Sequence, residues 1–184
     1  MAGSARLVIG ITGHIGAGKT SAGKYLASRY GFAYLRYSQV LADWKAADQG
    51  AKGSLQAVGW EVMSGPMQSE LNARLIAHIG PKGDYAVDGL RHPLDYESLH
   101  KTFASSFHLL YVDCPAEARW QRLRSKPRFA TFDKFQASDS HPVEQNIDSL
   151  RPMAEAVITN NGSLPELYAK VDAILQNIRP GGQP

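Results

Sequence analysis

Only one cysteine, Cys114, stands in the 184 residues, so no internal disulfide can form and the fold needs no oxidising compartment. No apolar stretch approaches the roughly 20 residues that a membrane-spanning helix requires. The Met1–Ala5 leader lacks the apolar core of a signal peptide. These absences lead to the expectation of a soluble, cytoplasmic chain with no membrane role. Excess charge is scarce too: 20 Lys and Arg against 17 Asp and Glu leave a formal charge of +3, which suits phosphate ligands as well as nucleic acid. The histidines at 14, 78, 92, 100, 108 and 141 show no zinc-ligand spacing, and no Ser/His/Asp nucleophile motif is present. Trp44, Trp60 and Trp120 are scattered rather than set along a basic stripe, so a nucleic-acid partner is not expected. Cys114, beside Pro115 after an apolar run, reads as a packed thiol.

What is present alternates between two periods. Leu7-Val8-Ile9-Gly10-Ile11 is short, branched and followed by glycines, as a buried strand entering a loop would be. Helical spacing follows from Lys19 to Tyr30, with Gly31 where a C-terminal cap belongs. Phe32–Arg36 reads as a second strand. Val40–Ala47, Leu55–Met63 and Met67–Ile79 read as helices, punctuated by Gly50, Gly53, Gly65 and Pro66. Two further apolar runs end in Asp88 and Asp113. Pro115 opens a helix toward Arg124, 125–142 is polar and irregular, and Val143–Met153 turns helical again. Ala156–Thr159 is strand-like, and Leu164–Ile178 is amphipathic. Strands alternating with helices imply an α/β, three-layer architecture around a parallel sheet, in one domain spanning 1–184.

The chemistry concentrates in Gly13-His14-Ile15-Gly16-Ala17-Gly18-Lys19-Thr20, which fits G-x-x-x-x-G-K-[ST] directly after a strand and at the opening of a helix. Glycines let backbone N–H groups wrap phosphates, Lys19 brings charge to the β/γ position, and Thr20 offers a hydroxyl to Mg²⁺. Residues 13–20, with Ser21 beside them, are therefore the expected ATP site. The alternative is a glycine-rich turn that binds nothing.

Asp88 and Asp113 compete for the second acid beside the metal. Asp88 is favoured because Gly89-Leu90-Arg91 would bring an arginine to the same carboxyl-end crevice; either acid could instead cap a turn. Arg122 and Arg128 are the candidate lid pair closing over the moving phosphoryl group, with Arg124 an alternate. Arg119, Arg122 and Arg124 cannot share one helix face, so at least one should be solvated, and a basic surface helix is the bland alternative.

Together with that loop, Val87-Asp88-Gly89-Leu90-Arg91-His92-Pro93 and Val157-Ile158-Thr159-Asn160-Asn161-Gly162-Ser163-Leu164 resemble P-loop nucleoside monophosphate kinases. By pattern they resemble the phage-type deoxynucleoside monophosphate kinases and dephospho-coenzyme A kinase. The resemblance implies that the final strand, turn and helix lie beside adenine, with Asn160 or Asn161 near the base. Leu55-Gln56-Ala57-Val58-Gly59-Trp60-Glu61 is similar to the acceptor-side helix of the deoxynucleotide kinases. That similarity implies that Gln56 and Arg91 hold the acceptor phosphate or base. The same stretch also reads as an ordinary core stripe with Gln56 on its wet side. The acid that dephospho-coenzyme A kinases carry after the second strand is missing: Tyr34-Leu35-Arg36-Tyr37-Ser38 stands there, with Ser38 as the acceptor-side hydroxyl, and Asp43 reads as an exposed helical acid.

The expected protein is thus an ATP- and Mg²⁺-dependent phosphotransferase acting on a small phosphorylated acceptor, a (deoxy)nucleoside monophosphate, with a dephospho-coenzyme A kinase or other small-molecule kinase as the alternative, and with an acceptor-binding helical insert at 38–80 and a lid at 122–140. A nucleotide-binding regulatory switch is the competing class, weakened by the absence of a guanine-reading Asn-Lys-x-Asp pattern. The sequence does not specify an oligomeric state.

Overall fold

The computed structural model describes residues 6–47, 55–63 and 66–179, with side chains left out at 47 and 55–57. The chain enters on β1 (Val8–Thr12), turns through the glycine loop and continues as α1 (Lys19–Tyr30) and β2 (Ala33–Arg36). Three helices follow: α2 (Tyr37–Ala47), α3 (Leu55–Met63) and α4 (Met67–Ala77). Next come β3 (Tyr85–Leu90), α5 (Pro93–Phe103), β4 (Phe107–Asp113) and α6 (Ala116–Leu123). The last stretch holds α7 (Phe132–Asp139), α8 (Pro142–Gln145), β5 (Ala156–Thr159) and α9 (Leu164–Ile178).

Among the described residues the strand pairings are all parallel, in the order β2-β3-β1-β4-β5. Because successive side chains on a strand point to opposite faces, the buried runs divide between two cores. Val8, Val87 and Leu109 face α2, α3, α4 and α5, where Leu41, Val62, Leu75 and Leu99 meet them. Ile9, Ile11, Ala86 and Leu110 face α1 and α9, packing on Leu26, Leu167, Val171 and Leu175. The α/β, three-layer fold read from the alternation is the fold observed.

Two local readings change. Asp88 does not end its strand: β3 continues to Leu90, and the register against β1 shifts because Ile11 pairs with Asp88 while Thr12 pairs with Leu90. Gly89, at φ +97°, absorbs the extra residue. The stretch read as irregular is also more ordered. A 3₁₀ turn at Pro127–Phe129 leads into α7, whose first turn is capped by the Thr131 hydroxyl. Phe129 and Phe135 are buried, and Phe132 packs edge-on against Trp120. In contrast, the helix expected from Val143 to Met153 is short: α8 stops at Gln145, and Asp148–Met153, containing Pro152, is 3₁₀.

Candidate functional site

β1 lies between β3 and β4, so the crevice beyond its carboxyl end is where an open parallel sheet accepts ligands. The glycine loop fills the floor of that crevice. Gly18 has φ +112°, and a Cβ there would lie 2.4 Å from Asn160 Nδ2, so a side chain fits neither the conformation nor the space. α1 begins after Gly18 without a side-chain cap, the kind of helix start that can receive an anion.

Lys19 is buried, and its Nζ donates to Gly13 O (2.5 Å) and His14 O (2.9 Å). Burial first, and then the Arg91 charge, lower its pKa from 10.5 to about 8, against the opposing pull of Glu144 and Asp88. The ammonium is thus poorly solvated where it sits. Thr20 Oγ1 donates to Asp88 Oδ2 at 2.9 Å, and Tyr34 OH donates to the same oxygen at 2.6 Å. Burial, followed by the Asp88 charge and hydrogen bond, holds the Tyr34 phenol far above its ordinary value, so it stays a donor. Tyr34 reaches Asp88 because α1 has a glycine opposite it: a Cβ on Gly23 would sit 2.5 Å from the Tyr34 ring.

Thr20 and Asp88 place one hydroxyl and one carboxylate side by side, both hard oxygen donors. Among the described residues no group of three His, Cys, Asp or Glu side chains could hold a metal ion. That donor set does not build a closed cage. It fits Mg²⁺, which keeps several waters and shares its shell with substrate phosphates.

A cavity of about 660 Å³ opens above this floor. Of the sequence-predicted residues, Ile15, Gly16, Gly18, Lys19, Thr20, Ser21, Ser38, Asp88, Arg91, Arg122, Arg128 and Asn160 line it. Gly13, His14, Ala17 and Asn161 are not in its wall. His14 turns away, its Nε2 2.9 Å from Asp148 Oδ1. The Gln56 side chain lies outside the described residues, so its expected acceptor contact has no structural counterpart here.

Several side chains make contacts that the sequence did not imply. Asn160 Nδ2 donates to Ala17 O at 2.7 Å, tying the end of β5 to the glycine loop. Arg122 Nη2 donates to Asn160 O (2.7 Å) and Gly162 O (3.3 Å), which anchors it at the cavity edge. Arg119 is buried and braces the loop from behind, donating to Ile15 O (3.1 Å), Cys114 O (2.9 Å) and Asp139 Oδ2 (2.8 Å). Arg124, the alternate, is exposed and outside the cavity wall. Arg128 stacks its guanidinium over the Phe129 ring at 4.7 Å. Asp113, the rival acid, pairs with Arg151 at 2.8 Å instead. Cys114 is buried and its thiol pKa is raised by that burial, so it is a packed group.

Sequence reasoning missed Tyr34, Arg36, Lys126, Leu164 and Glu144. Tyr34 was recoverable in principle, because β2 alternation puts it on the α1 side beneath Gly23. Glu144 carried no signal: it is 53 residues from Arg91, whose Nε donates to Glu144 Oε1 at 3.0 Å. A buried carboxylate, Asp95, sets this arginine's backbone by accepting from Arg91 N and His92 N, both at 2.9 Å.

Residues 9–131 match the family profile described as an AAA domain. The chain belongs to that family. A UPF0200 protein from Aeropyrum pernix is 24% identical over the full length of both chains. A UPF0200/UPF0201 protein from Archaeoglobus fulgidus is 26% identical over 50% of this chain, and a UPF0200 protein from Pyrococcus horikoshii is 25% identical over 53%. Those two matches cover 30% and 54% of the relatives' own lengths, so the chain spans about a third to a half of them. Among solved structures, shikimate kinase from Acinetobacter baumannii superposes with a TM-score of 0.60 at 19% identity, over 97% of this chain and 96% of that one. A gluconokinase from Sinorhizobium meliloti gives 0.61 at 13% identity, over 96% and 98%. The AAA P-loop domain is thus built on the fold of P-loop kinases. Among the described residues no helix is long and apolar enough to cross a membrane.

Proposed function

We propose that this AAA-domain protein is an ATP-dependent phosphotransferase acting on a small phosphorylated acceptor, a (deoxy)nucleoside monophosphate. One observation carries the reading. The cavity floored by Lys19, Thr20 and Asp88 shares a wall of Ile15, Ser38, Gly89, Arg91 and Arg128 with a second cavity of about 150 Å³. A regulatory switch needs one nucleotide site, whereas a transferase needs room for a second molecule beside the γ-phosphate.

In this reading the loop N–H groups and Lys19 Nζ grip the β- and γ-phosphates, and Asn160 keeps the loop in shape. Leu164 and Gly162 flank the adenine side, with Arg122 beside them. Thr20 and Asp88 would hold Mg²⁺, which when bound neutralises charge on the phosphate oxygens. The acceptor oxygen forms a bond to the γ-phosphorus in line, the bond to the β,γ-bridging oxygen breaks, and ADP leaves with that electron pair. Arg91 and Arg128 sit where spreading charge needs counter-charge. A phosphate dianion needs no base, so Asp88 serves position rather than proton transfer. Residues 38–80 then act as the acceptor-binding insert, 122–140 as the lid, and 1–184 as one kinase domain, in a cytoplasmic protein. The missing acid after β2 makes dephospho-coenzyme A the weaker acceptor, because Tyr37 and Ser38 stand there.

The test is ADP release with ATP-Mg²⁺ and a panel of nucleoside and deoxynucleoside monophosphates, dephospho-coenzyme A and small alcohols. Release that depends on one monophosphate and falls about 10²-fold or more in Lys19→Ala is expected. Hydrolysis indifferent to every acceptor would replace the transferase with the switch.

A further inference from the structure

The second cavity is a slot with mostly apolar walls: Tyr37, Leu41, Leu71, Val143 and Ile15 surround a few polar atoms. Most of those atoms have partners. Tyr37 OH donates to Asn72 Oδ1 at 2.7 Å, and Ser38 Oγ accepts from Arg36 at 3.3 Å. Glu144 is different. Its side chain is 2% exposed, one oxygen is held by Arg91 Nε at 3.0 Å, and the other, Oε2, is buried with no hydrogen-bond partner among the described residues. A buried carboxylate oxygen without a donor costs free energy, and this one belongs to a residue lining the slot.

Resting on the phosphotransferase reading, we infer that Glu144 Oε2 is the specificity contact for the acceptor, and that it accepts from an amino group carried by the acceptor's nucleobase. The acceptor therefore binds with a direction. Its phosphate faces the cationic wall of Arg91 and Arg128 shared with the main cavity, and its flat base enters the apolar slot. The edge that meets Glu144 must donate, because a carboxylate only accepts. An oxo group there would place two acceptors face to face and leave Oε2 unsatisfied. Sites built around a buried polar group reject the analogue that cannot pair with it far more strongly than apolar pockets reject a changed shape.

Glu144→Gln separates this role from a structural one. Arg91 Nε keeps an acceptor only if the glutamine oxygen takes the Oε1 position, which puts the amide nitrogen, a donor, at the Oε2 position. Pairs of acceptors that differ by amino for oxo provide the readout: CMP with UMP, AMP with IMP, and their deoxy forms. The wild-type protein is expected to favour the amino member of its working pair by about tenfold or more in kcat/KM. In Glu144→Gln that ratio should fall by about tenfold or reverse. General loosening of the fold would lower both members together and leave the ratio intact. A wild-type protein indifferent within every pair overturns the inference whether or not the variant folds, as does a variant that keeps the ratio. Turnover confined to acceptors without a base amino group overturns it too, yet leaves the phosphotransferase standing. Absence of phosphotransfer to any acceptor removes that reading first, and this inference with it.

Discussion

In the proposed reading Lys19 is a single residue prepared for phosphate. With its pKa lowered to about 8, its ammonium is destabilised by burial in the folded protein relative to the unfolded chain. Between pH 8 and the ordinary 10.5, the unfolded state binds more protons, so stability of the ligand-free protein should rise with pH across that window. Below pH 8 the penalty is present in full. Lys19→Met removes it, and a gain of about 1 kcal/mol would raise the Tm at pH 7 by about 2–4 °C. Phosphate beside Lys19 favours the charged form, so ATP binding near pH 9 should take up a proton. Calorimetry in buffers of different ionisation enthalpy should detect this uptake in the wild-type protein and a smaller one in Lys19→Met. A variant less stable than wild type, or equal uptake in both, would count against the under-solvated lysine.

At the scale of elements, the site depends on how helices and strands are spaced. Gly23 lets α1 approach β2 closely enough for Tyr34 to lie against it and reach Asp88. Gly23→Ala would push the ring from that seat. A loss of about 1–3 kcal/mol in urea unfolding is expected, together with weaker Mg²⁺ dependence of ATP binding. Asn160→Ala tests the link between β5 and the loop: it leaves the buried Ala17 carbonyl unpaired, at a cost of about 1–3 kcal/mol, and should weaken ATP binding more than it alters acceptor KM.

The same scale explains what could be read in advance. β1, the loop and α1 were legible because glycine, lysine and threonine have local reasons for their places. The Asp88 bulge was not, since it arises from pairing against β1. The 125–142 segment read as irregular from its charge, while its order comes from Phe129, Phe132 and Phe135 packing on one another and on Trp120. Glu144 is legible only once α8 has folded against Arg91.

For the whole molecule, the sheet order places the two cavities side by side at the carboxyl end of β1, with residues from 15 to 164 contributing to one wall or another. Ligand binding should therefore stabilise the fold as a unit. At a free ATP concentration of about 100 Kd, linkage predicts about 2.7 kcal/mol of added stability and a Tm increase of about 5–10 °C, absent in Lys19→Ala. The central claim is that the phosphoryl group passes to a second small molecule. The direct measurement is a single-turnover reaction with ATP labelled at the γ-phosphate and a nucleoside monophosphate acceptor, with the products separated. Label in a nucleoside diphosphate, formed no more slowly than ADP, is the predicted result. Label found in inorganic phosphate alone would contradict the account.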